Sequence, residues 1–168
     1  ADLDNIMSIE TEAADRRESV GRIGFSLGYL YPSNKSFVYS NDKYSQIIKL
    51  GSSYYDEFNN NTALLAEATY YMPNSLGIDA NLLKFINKDN ISPFIGGGIG
   101  MHWVSRGDDL ENSYGDDTED ADYRRSGVTV NCQTGAVFFR TYNVNLIARL
   151  QYIYIFNSNN DNGIVLDF

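Results

Sequence analysis

The chain has 168 residues, is 43% hydrophobic and carries a formal net charge of −9, a length that suits one domain with a sizeable core. No run of about 18 apolar residues occurs, which excludes a transmembrane helix, and the acid excess disfavours nucleic acid as a partner, because phosphate binding needs clustered Lys and Arg. Aromatic residues are in excess, with 13 Tyr, 9 Phe and 1 Trp, as suits a β-rich fold or the interfacial girdles of a bilayer.

Residues 1–20 are polar and acidic, with Glu10, Glu12, Asp15 and Glu18 near Arg16 and Arg17, and residues 1–21 read as a leader segment with no apolar stripe. The start at Ala1-Asp2-Leu3 would fit a processed N-terminus as well as an expression product. From Arg22 the hydrophobic period changes to two. Ile23, Phe25, Leu27, Tyr29 and Tyr31 share one face, and Pro32-Ser33-Asn34 stops the strand. A second strand is expected near Gln46–Tyr55, with Ile48, Leu50, Ser52 and Tyr54 facing one way. Asn59-Asn60-Asn61 turns the chain into Thr62–Met72, and Pro73-Asn74-Ser75 into Leu76–Ile86. Asn87-Lys88-Asp89-Asn90 then leads to Ile91–Val104, after which Gly107–Tyr123 forms a long acidic loop. Ser126–Arg140, Asn143–Phe156 and Gly163–Phe168 complete eight strands.

In Val144–Phe156, Val144, Leu146, Ala148, Leu150, Tyr152, Tyr154 and Phe156 share one face, and Asn145, Arg149 and Gln151 share the other. Strands of about ten residues with one apolar and one polar face are the mark of a membrane-spanning barrel, and such strands escape hydropathy scans. Eight strands suffice to close a barrel and abolish sheet edges. With the N-terminus on the periplasmic side, Ser33–Lys43 and Gly107–Tyr123 emerge together outside. Asn87–Asn90 and Thr141-Tyr142 are then short periplasmic turns. The connection at Pro73 is tight for an external loop.

Two segments carry a family resemblance. The last strand, with Ile164, Leu166 and Phe168 on one face, resembles the C-terminal signal of bacterial outer-membrane β-barrel proteins. Pro93-Phe94-Ile95-Gly96-Gly97-Gly98-Ile99-Gly100 is similar to the Pro-aromatic-x-Gly-x-Gly-x-Gly strand of outer membrane protein A and its small relatives. The resemblance covers residues 22–168. It implies an all-β, eight-stranded antiparallel up-and-down transmembrane β-barrel, integral to the bacterial outer membrane with the lipid bilayer as partner. The implied role is non-enzymatic: envelope integrity, surface adhesion or anchoring, with a lumen filled by side chains and no wide pore.

Candidate site residues follow from parity. Lys49, Glu67, Asp79, Asn81, Asn131, Gln133, Arg149 and Gln151 fall on inward positions, where buried charges need partners. A lumen network of Glu67, Asp79 and Arg149 is expected, with a Glu67–Arg149 pair and Asp79 nearby. Gly96, Gly98 and Gly100 share the parity of His102 and leave room inside a narrow barrel. A phosphate-loop reading of these glycines fails, because no Lys-Ser/Thr and no helix follow. His102 is the only histidine and Cys132 the only cysteine; a structural role fits both, and neither a transition-metal site nor a cofactor is expected.

The loop Gly107–Tyr123 holds Asp108, Asp109, Glu111, Asp116, Asp117, Glu119, Asp120 and Asp122 without a Lys or Arg. Clustered oxygens could hold a hard cation such as calcium, although the spacing matches no EF-hand; a solvated loop is the alternative. The same loop is the candidate contact for an extracellular protein or surface partner. Two other readings compete with the membrane barrel. One is a soluble lipocalin-like barrel enclosing a small apolar ligand. The other is a small outer-membrane hydrolase or acyltransferase with His102 as its base.

Overall fold

Side chains that alternate between two environments at every residue can satisfy both only in an extended chain, whose successive Cβ atoms point to opposite faces. That alternation builds eight strands: β1 (Arg22–Pro32), β2 (Ile47–Asn59), β3 (Thr62–Tyr71), β4 (Ser75–Phe85), β5 (Ser92–Trp103), β6 (Gly127–Phe138), β7 (Leu146–Phe156) and β8 (Asn162–Asp167). The computed structural model describes residues 21–33, 47–59, 61–72, 75–104, 126–140, 142, 144–157 and 161–168. No helix occurs among them.

Each strand pairs antiparallel with its neighbour in sequence, and β1 pairs with β8, so the sheet closes into a barrel. The seam runs from Gly28 opposite Asp167 to Pro32 opposite Gly163. It is extended by reciprocal backbone bonds between Leu27 and Phe168, at 3.0 and 2.9 Å. Arg22–Tyr31 and Gly163–Phe168 are therefore joined first to last, as the strand pattern requires. β2 runs further than its apolar pattern indicates, through Asp56, Glu57, Phe58 and Asn59, with a register shift between Glu57 and Asn59.

Two ends differ. At the end called here the turn end, β2–β3, β4–β5 and β6–β7 are joined by short connections. Ile86 N–H donates to Pro93 O at 2.9 Å, and Ser92 Oγ donates to Asp89 O at 2.6 Å. The β6–β7 turn holds Phe139 at φ 56°, a left-handed conformation uncommon for a bulky residue, and Tyr142 N–H closes it onto Phe139 O at 2.9 Å. The β1–β2 and β5–β6 connections, the two longest, leave from the opposite, loop end.

Buried apolar side chains form two layers rather than one core. Leu30, Ile47, Tyr71, Val104, Ile153, Ile155 and Val165 pack together near the loop end. Tyr55, Ala63, Leu65, Leu83, Phe85, Phe94 and Val137 pack near the turn end, with Ile147 against them. A polar layer lies between the two.

Candidate functional site: the filled lumen and the apolar wall

The polar layer is charged and buried. Lys49 is 0% exposed, with Glu67, Arg149 and Asp167 beside it, each under 5%. Charges withdrawn from water to this degree persist only when paired and hydrogen-bonded. Here two cations meet two carboxylates. Arg149 Nε and Nη2 donate to the two carboxylate oxygens of Asp167 at 2.7 and 2.8 Å. Its Nη2 also donates to Glu67 at 2.5 Å, and its Nη1 to Gln133 Oε1 at 3.1 Å. Lys49 is in contact with Asp167 and lies 3.7 Å from Glu67. The planar guanidinium suits this task, because its fixed fork can hold one carboxylate in two-point contact and a second beside it.

Sequence parity places Glu67, Asp79 and Arg149 inside, and the structure brings Glu67 to Arg149. Asp79 goes elsewhere. Its Oδ2 lies 2.9 Å from His102 Nε2, while Oδ1 accepts from Thr129 Oγ1 at 3.2 Å and from Asn131 Nδ2 at 3.4 Å. The reason is register: Asp79 lies opposite Gly100 and Gly77 opposite His102, so a carboxylate on β4 meets β5 and β6 before it can reach β7. Glycine makes the approach possible. A Cβ on Gly100 would strike Asp79 Oδ1, Ile78 O and Thr129 Oγ1, and one on Gly98 would strike Ala80 O and Asn81 Oδ1. The glycine run of β5 is thus the floor over which side chains from β4 and β6 reach one another.

Three members of the lumen set lie outside the sequence expectation. Asp167 sits on a strand chosen for its apolar face. Glu57 lies beyond the expected end of β2, and Arg140 lies just after β6. Arg140 seals the turn end: it donates to Glu57 at 3.2 and 2.9 Å, to Asn87 O at 3.0 Å and to Ser92 Oγ at 3.1 Å. Its guanidinium carbon also lies 3.7 Å from the centroid of the Phe85 ring, a cation–π stack. Tyr55 Oη donates to Glu57 at 2.6 Å, and Arg22 stands 3.7 Å from the same carboxylate.

His102 is 2% exposed and tied to Asp79, which leaves it without open access from either rim. Cys132 is exposed on the outer wall. Among the described residues no group of three His, Cys, Asp or Glu could hold a metal. The acidic residues Asp108, Asp109, Glu111, Asp116, Asp117, Glu119, Asp120 and Asp122 lie outside the described residues, as does nearly all of Ser33–Lys43.

The outer wall reverses the usual order of a globular protein. Phe25 is 87% exposed, Ile23 81% and Ile99 66%, and Leu27, Leu76, Ile78, Leu82, Ile95, Val128, Leu150 and Phe156 also point outward. Outward positions of the described strands carry only two charges, Asp56 and Lys84, both close to the turn end. Outward residues of β5 run from Pro93 to Trp103. At about 3.3 Å per residue and a tilt of about 40°, they span roughly 25 Å, the height of an apolar membrane belt. A lipocalin-like barrel needs the opposite distribution, a polar exterior around an apolar cavity, and that alternative fails on both counts.

No protein-family model matches the sequence, and no curated protein matches it. Among solved structures, the chain is similar to Neisserial surface protein A, at 16% identity over 89% of this chain and 94% of that one, with a TM-score of 0.64. It is also similar to the N-terminal β-barrel domain of OprF from Pseudomonas aeruginosa, at 12% identity over 90% of this chain and 98% of that one, with a TM-score of 0.56. The fold is that of the small eight-stranded outer-membrane barrels. At these identities the likeness is one of fold, and the chemistry rests on the lumen and wall described above.

Proposed function

We propose that this chain is an integral outer-membrane protein. Its barrel serves as a rigid, plugged mount that displays its loop end for surface interaction or adhesion, without catalysis and without a wide pore. The observation that carries this reading is the inverted distribution of polarity: paired charges within, an almost uncharged apolar belt without. In water such a belt would be a large aggregation liability. In a bilayer it is the required exterior, and closure satisfies every strand edge that lipid could not. The two charges near the turn end suit an interface, where Lys84 can snorkel toward water.

The lumen supports the plugged-mount reading. Its central charges are spent on one another, and apolar layers lie on both sides of them. Long loops on a rigid scaffold are the usual carriers of recognition, and the two longest connections leave from one end. The fold resemblance to a protein named as a surface protein agrees with display.

The test is refolding from urea into short-chain phosphatidylcholine vesicles, followed by gel electrophoresis with and without boiling. Faster migration of the unboiled sample, together with a need for detergent or lipid to remain in solution, is the expected result. A chain that stays monomeric without detergent, with one mobility in both samples, would sink the membrane reading.

A further inference from the structure

The outer wall is not evenly covered by bulky side chains. On its loop-end half a groove of about 430 Å³ crosses β2, β3 and β4 and reaches Trp103 on β5. It originates in two small outward residues, Ser52 and Ala68, which face each other in register, with the bulky pair Leu50 and Tyr70 next to them toward the loop end. Leu76 and Ile78, both more than half exposed, bound it on β4. Elsewhere on the belt large side chains stand opposite one another, such as Val130 opposite Tyr154 and Leu150 opposite Leu166.

Gly51, Thr69 and Gly77 lie at the floor. They hold the inward parity, so what they turn toward the groove is backbone, and that backbone is paired in the β1–β2, β2–β3 and β3–β4 ladders. No charged residue lines the groove. A polar occupant would therefore leave its own donors and acceptors unmet, whereas hydrocarbon asks for nothing that the lining lacks. At about 30 Å³ for a water, and a similar volume for a methylene, there is room for roughly fourteen chain carbons, the length of one acyl chain. A chain lying in the groove touches protein on more sides than one lying on a convex wall, and in lipid such dispersion contacts are what favours association. A second barrel fits less well, because two convex walls touch along a stripe and leave a recess unfilled. Trp103 and Tyr70 stand at the loop-end border, and their ring types favour the headgroup level, so a chain in the groove would have its headgroup at the membrane surface.

We propose that this groove is a seat for one acyl chain of a lipid in the loop-end leaflet, held there while lipids around the rest of the belt exchange. The inference rests on the reading of the chain as an outer-membrane protein, and it adds a defined ligand site to a wall that otherwise meets lipid without selection.

The experiment is photolabelling of the refolded full chain in phosphatidylcholine vesicles. A minor fraction of the phosphatidylcholine carries a diazirine on its acyl chain, and peptide mass spectrometry locates the labelled residues. Leu76 and Ile78 should take several-fold more label than Val130 and Leu150, outward residues of β6 and β7. Ala68→Phe, which fills the groove, should bring that excess down to the level of the rest of the belt and leave Val130 and Leu150 unchanged. Unboiled gel mobility shows whether the variant has closed its barrel; if it has not, Ser52→Leu takes its place. Even labelling around the wild-type belt, or an undiminished excess in the folded variant, would overturn the proposal. So would a groove labelled less than the rest of the belt together with a cross-linked dimer, which would make a second copy the occupant. Label absent from the whole belt would instead sink the membrane reading on which the proposal rests.

Discussion

Lys49 and Asp167 meet across Gly28. The two residues sit on β2 and β8, the strands on either side of β1, and both lie opposite Gly28 in register. Because Gly28 contributes no side chain, the ammonium and the carboxylate come into contact above its backbone. A Cβ there would collide with Cβ of Asp167 and with Leu166 O. The ring is therefore fastened at its closing seam by an ion pair that spans an empty position. Gly100, between Asp79 and Thr129, repeats the device.

Gly28→Val should prevent that contact and push β8 from β1. Overpacking alone costs roughly 1–3 kcal/mol, and separating buried charges adds to it. Urea titration of the refolded barrel, followed by unboiled gel mobility, should show a lowered midpoint or loss of the closed form. A wild-type midpoint would mean that the seam does not depend on the Lys49–Asp167 contact.

Arg149→Ala leaves Glu67 and Asp167 buried with Lys49 as their one remaining cation. The expected loss is roughly 3–5 kcal/mol, the range for breaking a buried pair from one side. Arg149→Lys should recover part of it, because a point charge keeps the sign but not the two-point hold on Asp167. Equilibrium unfolding of both variants in the same detergent provides the comparison.

The strand pattern makes the architecture legible in the sequence. Period two assigns each side chain to one wall of the barrel, and Lys49, Glu67, Asp79, Asn81, Asn131, Gln133, Arg149 and Gln151 all face inward as the pattern requires. Parity fixes the side but neither height nor position around the ring. For that reason Asp79 could be placed inside but not matched to His102, a partner set by β4–β5 register. Asp167 was hidden by a strand whose outward Ile164, Leu166 and Phe168 dominate its pattern. Glu57 and Arg140 were hidden at strand ends, where a bulged register and a turn interrupt the alternation. Gly77 opposite His102 and Gly28 opposite Asp167 were the available clues, since a glycine facing a filled lumen marks where its neighbours' side chains cross.

The Arg140–Glu57 clamp ties the β6–β7 connection to the end of β2, and Arg140 also reaches Asn87 in the β4–β5 connection. A double-mutant cycle of Arg140→Met and Glu57→Gln should give a coupling of about 2 kcal/mol or more, because a desolvated, two-point pair far exceeds the 0–1 kcal/mol of exposed ones. Arg140→Met alone should cost more than the double variant, since it strands the Glu57 carboxylate beside Tyr55. Coupling near zero would reduce the clamp to a surface contact.

Ile99→Arg places a charge within the outward row of β5. The expected cost is about 2–4 kcal/mol for folding into vesicles at bilayer mid-depth, decreasing toward either interface. The same substitution at Pro93, near the turn end, should cost about 1 kcal/mol or less. Equal penalties at the two positions would contradict a belt of graded depth.

Deletion of residues 108–122 should leave the gel-shifted barrel intact while abolishing any salt-sensitive binding to a basic surface. The eight carboxylates in that stretch give such binding its electrostatic character. Loss of folding on deletion would make the loop structural, and unchanged binding would move recognition elsewhere.

His102 and Trp103 are adjacent in the chain, and each is the only residue of its kind. Yet they stand on opposite sides of the wall: the imidazole is enclosed beside Asp79, and the indole is 39% exposed on the outer face. One dipeptide therefore supplies two spectroscopic probes that need no labelling and cannot be confused. Imidazole resonances report only on the interior, and indole emission reports only on the surrounding solvent, detergent or lipid. A change in one signal without the other would reveal on which side of a single strand an event has taken place.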